Sequence, residues 1–459
     1  MGAGTGFPGA GFPATGGIPG TRRLSPKRVQ GAVFFAAVAL CFTANAPKII
    51  LGTVDDSAMA DPTSGDAIKQ VLFLGVFALA AAVRLGQGGW RALLSLPFPF
   101  VPVLAWFWLS VLWAIDPGTA VRRIAFTSIV IMTITYCLDG MSPRRATSIL
   151  TAAFTTVLLG DWLAIGLLHH AIHLPGELDQ SIVGSWRGIH EDKNEAGGFA
   201  AVALILFLHE AIRLRSRICG AALVLLAAVF LAQTHSKTSL AFVVAALAAG
   251  FLIDAGFRHA TFRRLGLVIL VGTVVPALLI SWDALSAELA DFLAAPDSLT
   301  GRVQIWPILT DFAADNLLLG SGYGSFWGIG EASPVLDYTS GWLTTIYQAH
   351  NGYLDLLVQT GAVGLALVVG SLILAPLHRL LYAPLAPGVS RPLLASILVF
   401  GCLRDLLESS LMDRATSIWP IMVVAYCLLA RSSAAAARGG SPAQARPTPL
   451  QPRQQRVAS

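Results

Sequence analysis

Apolar runs long enough to cross a bilayer recur along this chain, and they constrain its fold more than any other feature. A spanning helix needs about 20 mostly apolar residues. Such runs lie near 29–46, 67–84, 97–115, 122–138, 147–168, 195–212, 218–234, 237–254, 264–282, 351–376, 391–407 and 415–431. They are solid blocks of Ala, Leu, Val, Ile and Phe, whereas transmembrane β-strands show segments of about 10 residues with alternating polarity. No single water-soluble core hides runs spread over 459 residues. Only 12% of the residues are charged and the mean hydropathy is +0.68, against about 25% charged in ordinary soluble domains. A soluble enzyme and a disordered protein are excluded. The expected fold class is an all-α polytopic membrane protein with about twelve transmembrane helices.

Twelve spans place both termini on one side, and the positive-inside rule makes that side cytoplasmic. It holds 21 of the 31 basic residues with only three acids, Asp139, Glu210 and Asp254. The net charge of +5 is therefore an orientation signal, not a nucleic-acid footprint. The pair Arg122–Arg123 falls on the outer side without a sequence-level reason. Residues 1–28 and 432–459 read as disordered cytoplasmic tails, Gly/Pro-rich and Ala/Pro/Gln/Arg-rich respectively. Between them, 29–431 reads as one transmembrane domain that includes an outer loop at 283–350. The first apolar run starts too late for a cleavable signal peptide. The five cysteines fall in or beside spans, where none can staple an outer loop.

Two outer segments, 169–194 and 283–350, exceed the length of a simple connection and are expected to carry function. The second is too aromatic for a linker and should fold back onto the membrane surface, with Trp306, Trp327, Trp342 and Tyr347 at headgroup level. Within it, AHNGYLDLLVQTGAVG (349–364) puts His350 just before a helix that Asn351 can cap. The helix dipole favours an anion there and a neutral, proton-accepting imidazole. Gly361 and Gly364, deeper along the helix, would admit a neighbouring helix or a lipid chain. TGRVQIWPILTDFAAD (300–315) predicts a short amphipathic helix, capped by Thr300 and bent at Pro307, with Val303, Ile305, Trp306, Ile308 and Leu309 against the membrane. It carries Arg302, whose planar fork suits a phosphate. GSWRGIHEDKNEAGG (184–198) crowds Arg187, His190, Lys193 and Asn194 at a helix entrance. An interfacial histidine, packing glycines and surface arginines paired with local acids would satisfy the same patterns. The histidines at 169, 170, 173 and 190 lack metal-ligand spacing, so neither a metal nor a cofactor is expected.

Together the three segments resemble the O-antigen ligase and polymerase superfamily, nearest its exopolysaccharide-polymerase (ExoQ-like) branch. His350, Asn351, Gly361 and Gly364 fit the spacing of the family's outer-loop signature. Gly301–Arg302 with Trp306 resembles its Arg-led element in the form commoner among polymerases. NLLLGSGYGSF resembles the stretch that follows, with Leu317 in place of the usual proline. WRGIHEDKNEAGG resembles the branch's Arg-Gly…His-Lys-Asn…Gly element, although Glu191 and Asp192 separate His190 from Lys193–Asn194. The resemblance covers roughly 30–430; its specific motifs cover about a tenth of that.

The resemblance implies a metal-independent, inverting membrane glycosyltransferase of the GT-C type in a bacterial inner membrane, its active site facing the periplasm. The donor would be an oligosaccharide on undecaprenyl diphosphate, with membrane lipids, a flippase and chain-length regulators as further partners and no nucleic acid. In that reading Arg187 and Arg302 balance charge on the diphosphate and His350 is the general base on an acceptor hydroxyl. Lys193, Asn194, Asn351 and Glu408 bind substrate. Glu408 or Asp405 could replace His350 as the base. The Lys-Asn element tilts the expectation towards a polymerase of exopolysaccharide or O-antigen repeat units. A lipid A-core ligase and a protein O-glycosyltransferase share the layout. A twelve-helix secondary transporter is the non-enzyme rival; the chain shows no internal repeat and only Asp161 as a clear mid-span acid.

Overall fold

The computed structural model describes residues 25–43, 46–51, 67–175, 182–211, 216–261, 302–339, 346–413 and 417–439. The side chains of Lys48, Ala67, residues 302–304 and residues 437–439 lie outside that description. Within it the chain is helical apart from connections and one isolated bridge, Ile172–Trp186. The helices are α1 (Pro26–Thr43), α2 (Ala46–Leu51), α3 (Ala67–Gly88), α4 (Phe100–Leu109), α5 (Pro117–Leu138), α6 (Pro143–Leu167), α7 (Lys193–Ala211), α8 (Arg217–Gln233) and α9 (Lys237–Arg258). After them come α10 (Arg302–Asp315), α11 (Val335–Tyr338), α12 (Gly352–Tyr382), α13 (Arg391–Arg404) and α14 (Ile418–Gly439). The protein is an all-α polytopic membrane protein.

Eleven of the twelve apolar runs coincide with described helices; the run 264–282 lies outside the described residues. Six helices, α3, α5, α6, α9, α12 and α14, are long and apolar enough to cross a membrane by length and composition, while α8 and the α4 region are apolar but shorter. The ends follow local chemistry. Asp116 caps α5, its Oδ1 accepting from the Thr119 N–H at 3.0 Å, with Pro117 in the first turn. Ser216 and Ser390 cap α8 and α13 in the same way. α1 starts at Pro26, and α14 runs on to Gly439 through a Ser/Ala-rich stretch of strong helix formers. Residues 1–24 and 440–459 lie outside the described residues.

Packing sorts these helices into a centre and a rim. α7 is apolar almost all round and buried along most of its length, and α14 is buried through most of its apolar part. Phe154 and Phe199 stack with centroids 5.2 Å apart, and Phe42 meets both edge-on. α9 and α13 pack so closely that a Cβ at Gly250 would collide with Ser396. α3 instead exposes Ile68, Val71, Leu72, Leu74 and Leu79, the pattern of a helix facing lipid.

A second, smaller core lies between α10 and the start of α12. Ile305, Leu309, Phe312 and Ala313 of α10 pack with Phe326, Trp327, Val335, Ala349 and Val358. Residues 302–339 thus fold against α12, and α10 turns Ile305 and Leu309 inward to this core, not to the membrane as the sequence suggested. Trp306 donates to the Ala349 carbonyl at 2.9 Å and Trp327 to Asp355 Oδ1 at 2.5 Å. These two indoles hold the loop together in place of the headgroup position expected of them. Tyr347 is exposed, and Trp342 lies outside the described residues.

Candidate functional site

The region around His350 is built by a loop that docks into a broken helix. α12 is interrupted at Gly361, whose φ of 66° and ψ of −178° are essentially restricted to glycine. A Cβ there would collide with the Leu318 carbonyl, and one at Gly320 would lie 2.7 Å from the Gln359 backbone. Two hydrogen bonds cross the break: the Ala362 N–H donates to the Leu317 carbonyl at 2.7 Å and the Ser321 N–H to the Val358 carbonyl at 2.9 Å. The indoles of Trp106 and Trp113 donate to the Thr360 and Leu319 carbonyls, both at 3.1 Å. What approaches Gly361 is therefore the backbone of residues 317–320, not the helix or lipid chain expected from sequence. Gly364 makes room for the Trp106 indole and the Thr360 side chain.

Beyond the break the loop is pinned to the helical body. Tyr323 stacks on Phe107 with centroids 4.1 Å apart and donates to the Met412 carbonyl at 2.6 Å. Arg123, 5% exposed, donates to the carbonyls of Gly324 at 2.8 Å, Trp327 at 2.6 Å and Gly328 at 3.2 Å. This accounts for one of the two arginines, Arg122 and Arg123, that the sequence left unexplained.

At the entry of α12 the expected cap is present. Asn351 Oδ1 accepts from the N–H groups of Tyr353 at 3.1 Å and Leu354 at 3.0 Å, which commits that oxygen to the backbone. The Gly352 N–H donates to the carbonyls of Asp405 at 2.8 Å and Glu408 at 3.0 Å, tying the start of α12 to the end of α13. His350, at φ 50°, is left half-buried with Nδ1 3.5 Å from Glu408 Oε2, a charge-pair distance without a hydrogen bond.

Glu408 also lines a polar cavity of about 180 Å³ between α1, α3, α7 and the ends of α13 and α14. The entrance of α7 forms one wall. Asp192 Oδ1 accepts from the N–H groups of Asn194 at 2.6 Å and Glu195 at 2.9 Å, capping the helix. Burial, with the nearby Glu195 charge adding to it, raises the Asp192 pKa above the ordinary carboxylate value. Arg404, buried in the opposite wall, pairs with Glu195 Oε1 at 2.9 Å and donates to the Ser410 hydroxyl; Ser417 donates to the other Glu195 oxygen. Below, Asp161 holds the 188–190 turn, accepting from the Ile189 N–H at 3.0 Å with His190 Nε2 3.2 Å away. Burial disfavours a charged His190, yet the Asp161 carboxylate and its hydrogen bond outweigh that and raise the imidazole pKa.

The anticipated residues divide in two. Asn194 and Glu408 line this cavity, with His350 and Asn351 beside Glu408. Lys193 opens α7 next to Asn194. Arg187 does not line the cavity. It is 2% exposed, and its Nε donates to the His170 carbonyl at 2.7 Å. Arg302 opens α10, but its side chain lies outside the described residues. Sequence reasoning passed over Glu195, met Asp192 only as a neighbour of His190, and met Arg404 only as a charge in an apolar run. Arg404 had a signal, since an ionisable residue in an apolar span is a functional-site candidate by default. Among the described residues no group of His, Cys, Asp and Glu could hold a metal ion.

Residues 220–369 match the family model for O-antigen ligase. The match ends inside α12, after His350, Asn351, Gly361 and Gly364. The matched stretch is about a third of the chain, and over it the protein is similar to that family. No curated protein matches the chain.

Proposed function

We propose that the protein is a membrane glycosyltransferase that polymerises exopolysaccharide or O-antigen repeat units from undecaprenyl-diphosphate-linked donors, at the periplasmic face of a bacterial inner membrane. The observation that carries this reading is the 3.5 Å approach of His350 Nδ1 to Glu408 Oε2, beside a polar cavity in an otherwise apolar body. A carboxylate facing Nδ1 favours the tautomer protonated there and leaves Nε2 to accept a proton. Catalytic hydrogen bonds often tighten only when substrate binds.

In this reading His350 takes the proton of an acceptor hydroxyl. The oxygen attacks the anomeric carbon of the donor sugar, the bond from that carbon to the diphosphate breaks, and undecaprenyl diphosphate leaves with inversion. Arg302 meets the charge that develops on the leaving group, and Lys193 and Asn194 at the α7 entrance bind the lipid-linked substrate. Arg187, with its guanidinium buried against a backbone carbonyl, keeps the 184–190 turn in place. Asn351 sets the direction of α12, and so the position of His350. No step requires a metal.

Deletion of the gene, followed by analysis of lipid-linked intermediates, tests the reading. Accumulated single repeat units support a polymerase, accumulated full-length chains on the carrier support a ligase, and unchanged intermediates refute both.

A further inference from the structure

The segment that docks at the break of α12 leaves its own side chains uncovered. Leu317, Leu318 and Leu319 are 53%, 63% and 44% exposed. The backbone beneath them is satisfied from within the protein. The carbonyls of Leu317 and Leu319 accept from the Ala362 N–H and the Trp113 indole, and the N–H groups of Gly320 and Ser321 donate to the Asn316 and Val358 carbonyls. The Ser321 carbonyl in turn accepts from the Ile115 N–H at 3.1 Å. A loop in water can leave such groups to solvent, whereas irregular backbone at membrane depth needs them paired by protein. A turn that buries its peptide groups and shows only leucine side chains meets that condition.

The three leucines also continue an apolar surface that α4 begins. Trp108 and Leu109 of α4 and Leu112 just after it are exposed, and the stretch that follows Leu112 supplies the Trp113 and Ile115 bonds to residues 319 and 321. Depth agrees with this continuity. α12 carries no charged residue between Asp355 and Arg379, and the leucine segment meets it at Gly361, inside that stretch. From Gly361 to Arg379 the helix rises about 27 Å at roughly 1.5 Å per residue, close to the ~30 Å hydrocarbon thickness of a bilayer. The leucines therefore stand at the end of the hydrocarbon core opposite Arg379. Beside them lie the indoles of Trp106 and Trp113, a residue type enriched at that level.

We propose that Leu317–Leu319 is a bilayer contact. The three side chains enter the acyl-chain region together with Trp108, Leu109 and Leu112, and they hold the 302–339 segment at a fixed height on the membrane. The occupant of this surface is lipid, because the patch is continuous with the exposed face of α4 and lies level with the charge-free part of α12. The contact expected of Trp306 thus falls to a leucine turn that follows α10. It does not depend on the glycosyl-transfer reading.

The test is EPR power saturation on the full chain in nanodiscs of phosphatidylethanolamine and phosphatidylglycerol. A nitroxide is placed on Leu318→Cys and, in a second variant, on Leu317→Cys. The signal of identically treated wild-type chain is subtracted to remove the native cysteines. Leu72→Cys on the lipid-facing α3 and Glu331→Cys in an exposed turn are the references. Oxygen partitions into hydrocarbon and a polar nickel chelate does not, so oxygen collisions should exceed chelate collisions at least about threefold at 317 and 318, as at 72. The label at 331 should show the reverse. If the chelate reaches either leucine position as it reaches 331, the turn lies in water and the proposal is overturned. Protection of either position from both reagents also overturns it, since protein and not lipid then covers the turn.

Discussion

His350 Nδ1 faces Glu408 Oε2 across 3.5 Å, joining the residue that precedes α12 to the segment that follows α13. Backbone bonds from the Gly352 N–H to the Asp405 and Glu408 carbonyls fix the same junction. The pair is therefore held by main chain on both sides, and its spacing does not depend on flexible side chains alone.

Removing either member should abolish transfer while leaving the fold intact. General acid–base groups contribute about 10²–10⁴-fold to a rate. His350→Ala and Glu408→Gln should each lower polymer yield by a factor in that range at equal protein level, read by gel analysis of the polysaccharide. Normal yield and chain length in His350→Ala would transfer the base role to another group.

Gly361→Ala should destabilise the protein by at least about 2 kcal/mol, because the backbone angles there strain any residue with a Cβ and the Leu318 carbonyl occupies its place. Gly75→Ala, with nothing within 4 Å of a Cβ, is the control and should not lower the melting temperature. Thermal unfolding in detergent compares the two. Equal melting temperatures would show that the loop does not dock at the break.

Arg123→Ala removes three donors from buried carbonyls of residues 324–328. Each hydrogen bond to a charged group contributes about 1.5–3 kcal/mol, so the loss should be about 3 kcal/mol or more. Limited proteolysis should then cut within 320–335, and an uncut loop in the variant would show that these bonds do not hold it.

The His190–Asp161 contact predicts a pH dependence of stability. The His190 pKa is raised in the folded protein, so its stabilisation is full below the ordinary imidazole value of about 6.5. It is lost as pH rises through the folded value. The melting temperature should fall across that window, and His190→Gln should flatten the fall. A parallel decline in the variant would assign the dependence to other groups.

What the sequence could disclose followed the range of its signals. The helical character of eleven apolar runs, the Asn351 cap and the folding of residues 302–339 rest largely on neighbours a few residues apart, and the described residues match them. Arg123 was opaque because its partners are carbonyls about 200 residues away. Gly361 was legible as a point of close approach, but nothing in its neighbourhood identified the approaching backbone as 317–320. Trp306 and Trp327 carried the composition of interfacial aromatics, and only the tertiary fold turned them inward. Arg404 was visible as a charge in an apolar run, yet its partner Glu195 lies 209 residues away.

The docking of residues 317–328 into the break of α12 and onto Arg123 and Phe107 sets the unit in which this protein can be exchanged with a relative. A loop transplanted alone would arrive without the glycine break that receives its backbone, the arginine that binds its carbonyls and the aromatic face that stacks on its tyrosine. A working hybrid has to carry α4, α5 and the first half of α12 together with the loop. The loop and the elements that receive it are then exchanged as a block and not as a removable cassette.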